Sequence, residues 1–145
     1  MKGRLPLPAR LASSAEVKAI ETLCLAASVA AEEIRIDDRF GEVMRPGEPF
    51  DGDYKARRLA WIMGEPDPRH ETWETPDEAA RRFQAGLDAL GDDAIVVASH
   101  GMVITAWLIS IGHIAPGAGA GDLWQHLTFP DLRTVTARVR PARRR

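Results

Sequence analysis

Five consecutive small or apolar residues, Ala94-Ile-Val-Val-Ala98, run directly into Ser99-His100-Gly101, and this stretch constrains the chain more than any other. The run has no polar alternation, so it reads as a strand covered on both faces, as in a parallel sheet flanked by helices. A second apolar stretch, Met102 to Ile111, is long enough for a helix and too short to span a bilayer. A histidine and a glycine between a strand's C-terminal end and a helix's start stand where open α/β sheets place ligands. Free backbone N–H groups at such a helix start favour an anion. The plainer alternative is a connector in which His100 serves only local hydrogen bonding.

The remaining segments supply the elements such a sheet needs. Ala9–Ala12 reads as a short strand, and Ser13 with Glu16 three residues later reads as a capping box. Val17, Ile20, Cys24, Ala27 and Ala31 follow at spacings of three and four, the stripe of a helix packed on a sheet. Ile34–Ile36 fits a second strand, Asp37–Asp53 mostly a loop, and Asp53 the cap of a helix reaching Met63 with Tyr54, Arg57 and Arg58, Trp61 and Ile62 straddling its inward side. Gly64, Pro66 and Pro68 mark a connector. Thr75-Pro-Asp-Glu78 is a second capping box with proline at the first helical position, followed by Ala79, Phe83, Leu87 and Leu90 on one face. Residues 115–121, rich in glycine, read as a loop, and the alternation of Val135, Ala137 and Val139 reads as a last strand. The order predicts an α/β three-layer sandwich, a mostly parallel central sheet with helices on both faces and the Ala94–Ala98 strand at its centre.

At 145 residues the chain suits one domain, read here as residues 1–137 with a basic strand end and tail over 138–145. Five of the last eight residues are arginine; the other 14 basic side chains face 21 acidic ones, so the body is acidic and no nucleic-acid partner is expected. The single cysteine, Cys24, lies on an apolar stripe and excludes an intrachain disulfide framework. No segment reads as a membrane anchor, and a cytoplasmic location follows as the expectation.

Three polar residues fall near the ends of predicted strands: Lys18, Glu42 and His100. If the strands are parallel, a cation, a carboxylate and an imidazole converge on one edge. They could there neutralise a phosphoryl oxygen, move a proton and donate to developing charge. Each also has a bland explanation as a solvated or locally bonded side chain. The histidines at 70, 113 and 126 form no metal-ligand spacing, so neither metal nor cofactor is expected.

The chain resembles the histidine phosphatase superfamily, which includes the phosphoglycerate mutases. Ser13-Ser-Ala-Glu-Val-Lys-Ala-Ile-Glu-Thr22 resembles its Ser-Ser-Pro-x-x-Arg-Ala-x-x-Thr motif, with Ala15 in place of proline and Lys18 in place of arginine. Phe40-Gly-Glu42 is similar to its Leu-x-Glu element, Ser99-His100-Gly101 to its second histidine motif, and Trp124 with Phe-Pro-Asp131 to the stretch before its last strand. The resemblance implies Glu42 as acid–base residue, His100 as a catalytic contact to the phosphoryl group, and Lys18, Ser14, Gly101 and Met102 as substrate-binding positions. It also implies a nucleophilic histidine in an Arg-His-Gly motif ending an earlier strand. The twelve residues before Ser13 contain no histidine, so that first strand and its nucleophile are expected to be missing.

The expected function is therefore that of a phosphomonoesterase-type hydrolase domain, inactive as this sequence stands. The alternatives are a non-catalytic phosphoester-binding domain or a fragment without its own function. The expected partner is a small phosphorylated molecule or inorganic phosphate. A missing strand would also leave a sheet edge open to self-association.

Overall fold

The computed structural model describes residues 5–136. The elements run β1 (Arg10–Ser13), α1 (Val17–Ala27), β2 (Arg35–Ile36), α2 (Tyr54–Met63), α3 (Pro76–Leu90), β3 (Ile95–Ala98), α4 (Gly101–Ser110) and α5 (Ala118–Gln125). Short 3-10 turns occur at Ala31–Glu33, Asp38–Phe40 and Pro68–Thr72. The strands are all parallel, in the order β2-β1-β3, with Ser13 opposite both Ile36 and Ala98. The three C-terminal ends are therefore level, which brings the residues that follow each strand to one edge of the sheet.

Alternate side chains of β3 serve two cores. Val96 and Ala98 pack with Leu23, Ala27 and Ile34 on the α1 side. Ile95 and Val97 pack on the other face against a larger cluster that includes Trp61, Phe83, Met102 and Val103 from α2, α3 and α4. The result is an α/β sandwich of three layers, α1 on one face and α2 to α5 on the other. Phe40 is fully buried in the larger core and meets Phe83 edge-on at 5.2 Å between ring centroids. Burying a side chain of that size contributes about 1.5–3 kcal/mol, which anchors the loop that carries Glu42.

The Thr75 capping box forms as expected: Thr75 Oγ1 accepts from Glu78 N at 3.2 Å and Glu78 Oε2 accepts from Thr75 N at 2.9 Å. Four expectations need correction. The Ala94–Ala98 segment is covered on both faces but is an edge strand among the described residues, with β1 at the centre. An apolar run reports covered faces; it carries no information on whether both edges are paired. Ser13 is the last residue of β1, not a helix cap, and α1 starts four residues later behind Glu16, whose side chain makes no capping bond. The buried residues of α1 are Ala19, Leu23 and Ala27, with Ile20 and Cys24 of the expected stripe half-buried beside them and Val17 68% exposed. Residues 118–121 belong to α5: Gly121 sits against Met63 and Leu59, where a Cβ would approach the Met63 side chain to 2.9 Å, so close packing on α2 explains the glycine. Residues 131–136 are irregular, and the rest of the expected last strand lies outside the described residues.

Candidate functional site

The level strand ends deliver Ser14 and His100 to each other. Ser14 N donates to Ala98 O at 3.1 Å, stitching the end of β1 to β3. His100 is the extended residue that precedes α4 and is 7% exposed, and its Nε2 lies 2.7 Å from the fully buried Ser14 Oγ. Its other ring nitrogen, Nδ1, faces Glu16 Oε2 at 3.7 Å. The same oxygen lies 3.5 Å from Lys18 Nζ. Lys18 and His100, placed far apart in the sequence, are thus neighbours across a single carboxylate oxygen.

Glu42 reaches the same edge by way of the loop after β2. Asp37 N donates to Ser13 O at 2.9 Å, prolonging the strand pairing, and the Asp37 carboxylate then caps the turn through Arg39 N and pairs with the Arg39 guanidinium at 2.7 Å. Ser99 Oγ donates to Phe40 O at 2.6 Å. From α3, Arg82 Nη1 donates to Arg39 O at 2.8 Å and Gly41 O at 3.0 Å, while its Nε pairs with buried Glu74 at 2.7 Å. Glu74 Oε2 in turn accepts from Met44 N at 3.1 Å. Held on both sides, the loop sets the Glu42 carboxylate on the start of α4. Oε1 accepts from Val43 N at 2.8 Å and Val103 N at 3.0 Å, and Oε2 accepts from Met102 N at 3.2 Å. The helix start expected to favour an anion does hold one, supplied by the chain itself.

Burial pushes the Glu74 carboxyl up, but the Arg82 hydrogen bonds, Met44 N–H and the Arg82 charge together hold it below the usual range. The Arg39 hydrogen bonds hold Asp37 low in the same way, against a smaller effect of burial. Arg45 adds a second cation near α4: its Nη1 donates to Val43 O at 2.9 Å and lies 3.5 Å from Met102 Sδ, and its Nε meets Glu48 at 2.6 Å. Glu48 is shared with Arg58 at 2.8 Å.

Of the residues singled out in the sequence, His100, Ser14 and Lys18 form one contact chain, and Glu42 occupies the amides of Met102 and Val103 immediately after Gly101. Ser14 stands behind the imidazole. Gly101 faces Trp124 and Leu127, each about as near as a Cβ there could tolerate, at 3.3 Å. His70 stacks on Trp73 and bonds Arg57 O at 2.9 Å, and His113 and His126 are exposed on the far ends of α4 and α5. Among the described residues no three His, Cys, Asp or Glu side chains gather as a metal-holding group. Sequence reasoning missed Glu16 and Arg82. Glu16 lies inside the Ser-Ser motif, where its spacing from Ser13 points to a capping box instead, and Arg82 is one of two adjacent arginines on a helix with no local sign of which turns inward.

The sequence matches the family model of the histidine phosphatase superfamily (branch 1) over residues 4–127. Among solved structures the fold is similar to mycobacterial hydrolase 1, with a TM-score of 0.54, 21% identity, and a match covering 86% of this chain and 65% of that one. The chain therefore spans less than two thirds of that protein's length, and at this identity the likeness concerns the fold alone. No curated protein matches the chain.

Proposed function

Because the chain belongs to the histidine phosphatase superfamily, branch 1, we propose that the edge formed by His100, Lys18 and the start of α4 holds the phosphoryl group of a small phosphomonoester. The observation that supports this is the shared Glu16 oxygen, which brings an ammonium and an imidazole together beside a helix start. In this reading His100 and Lys18 bind phosphoryl oxygens, Gly101 and Met102 back the site with the Met102 amide already taken by Glu42, and Ser14 supports His100 from behind. Glu42 is the acid–base residue. Its Oε1 spends both lone pairs on backbone N–H groups, so the proton it passes to a leaving oxygen rides on Oε2, which accepts only one such bond.

Hydrolysis by this superfamily's covalent route needs a histidine nucleophile, and His70, His113 and His126 all stand away from the edge where His100 lies. The 145-residue polypeptide therefore binds phosphoryl groups and does not turn them over. One cysteine and the small phosphorylated ligand fit a cytoplasmic setting. The test is calorimetry of the purified chain with inorganic phosphate and vanadate, together with an aryl phosphate assay. Binding that His100→Ala abolishes, without turnover, is the expected outcome. Turnover that His100→Ala abolishes would overturn the absence of activity, and failure to bind either anion would overturn the site.

A further inference from the structure

We infer that Glu16 is a built-in competitor for the anion site: its carboxylate occupies the place between Lys18 and His100 that a bound oxyanion must take. The inference rests on the anion-binding role assigned above. Both ring nitrogens of His100 already face groups of the chain, so a ligand can reach the imidazole only by displacing one of them. Ser14 is the wrong candidate. Its hydroxyl is fully buried, it lies 2.7 Å from Nε2, and its backbone is tied to Ala98. Glu16 is the right one. Its side chain is 49% exposed, and at 3.7 Å from Nδ1 it lies beyond hydrogen-bond distance.

The same Oε2 atom holds Lys18 Nζ, whose side chain is 79% exposed and has no other ion pair among the described residues. A phosphoryl oxygen at that point would meet the same two nitrogens and would repel the carboxylate it replaces. Glu16 can leave at little cost because its ion pair is solvent-screened and its side chain makes no capping hydrogen bond to the helix start behind it. The entrance is thus on the Nδ1 side of His100, and Glu16 sets the affinity by how readily it vacates.

The experiment compares inorganic phosphate and vanadate binding to the full chain with binding to Glu16→Gln, at low and at raised salt. Glu21→Gln, one turn further along α1 and equally charge-altering, is the control. Removing a competitor of exposed ion-pair strength should tighten binding about two- to fivefold at low salt, with the gain shrinking as salt rises and Glu21→Gln leaving affinity unchanged. Circular dichroism of both variants checks that the fold is kept. Equal tightening by both substitutions would mean net charge alone is at work and would overturn the inference. Unchanged or weaker binding in Glu16→Gln would overturn it while leaving the anion site intact. Loss of binding in every form, wild type included, would instead bring down the site itself.

Discussion

Three carboxylates brace the loop that carries Glu42, and all three sit below their ordinary titration range: Glu74 against Arg82, Asp37 against Arg39, and Glu48 between Arg45 and Arg58. A folded-state value lowered in this way contributes stability above the unfolded value and loses it as pH falls through the folded one. Unfolded carboxyls titrate at about 3.9–4.3, so the melting temperature should hold steady from neutrality down to about pH 5 and drop below that. Thermal melts from pH 7 to pH 3 check this, and a rise in stability on acidification would contradict it. Glu42 belongs to the same set of contacts. Glu42→Gln removes the charge from three backbone donors and should cost about 1–2 kcal/mol in a denaturant titration, an effect a freely solvated Glu42 would not show. The residue types of this site were legible in the sequence because strand-end positions and the Ser-Ser and Ser-His-Gly motifs mark them. Their pairings were not. That Glu16 would face His100, or Arg82 would grip the carbonyls of residues 39 and 41, depends on contacts made across the chain, and no spacing encodes them.

The two Ser/Thr-x-x-Glu sequences show what an element-level signal can and cannot decide. Both have the residues of a capping box, yet only Thr75–Glu78 forms one, while Ser13 continues a strand into the sheet. The difference lies in what precedes each: the 3-10 turn Pro68–Thr72 and a connector before Thr75, and before Ser13 the Leu11-Ala12 pair that is hydrogen-bonded into the sheet as β1. Thr75→Ala should accordingly cost about 0.5–2 kcal/mol through α3. Among the described residues Ser13 Oγ donates to its neighbour Ser14 O alone, so Ser13→Ala should leave α1 helicity unchanged by circular dichroism. Gly86 is a second case where the helix pattern alone misleads. In the interior of α3, alanine would be the better helix former by about 1 kcal/mol. A Cβ there would lie 2.8 Å from two ring atoms of Phe40, which is fully buried and cannot swing away. Gly86→Ala should therefore destabilise the protein, by about 1–3 kcal/mol, and loosen the Glu42 loop through Phe40. A gain in melting temperature would show that α3 is not pressed against that ring.

At the scale of the whole molecule, the layered α/β architecture was legible because both faces of β3 are written in its apolar residues, whereas its position in the sheet was not. β1 pairs on both sides, and β3 pairs on one, so among the described residues the outer N–H and C=O groups of β3 have no strand to meet. A strand laid there in parallel would end beside Ala98, and the residue following it would arrive next to His100, because parallel neighbours in this sheet finish level. That is where a nucleophile would have to stand to attack a phosphoryl group held by His100 and Lys18. If nothing covers that edge in the purified polypeptide, β3 offers a template to a second copy, and sedimentation should then show association that rises with concentration. Fusing to the N-terminus an apolar strand that ends in Arg-His-Gly should suppress that association and bring aryl phosphate turnover, with a phosphohistidine detectable after a rapid acid-free quench. The same fusion with the histidine changed to alanine should still close the edge but remain inactive. Turnover in that alanine form would place the nucleophile elsewhere in the chain. Continued association of both fusions would mean that copies meet through a surface other than β3.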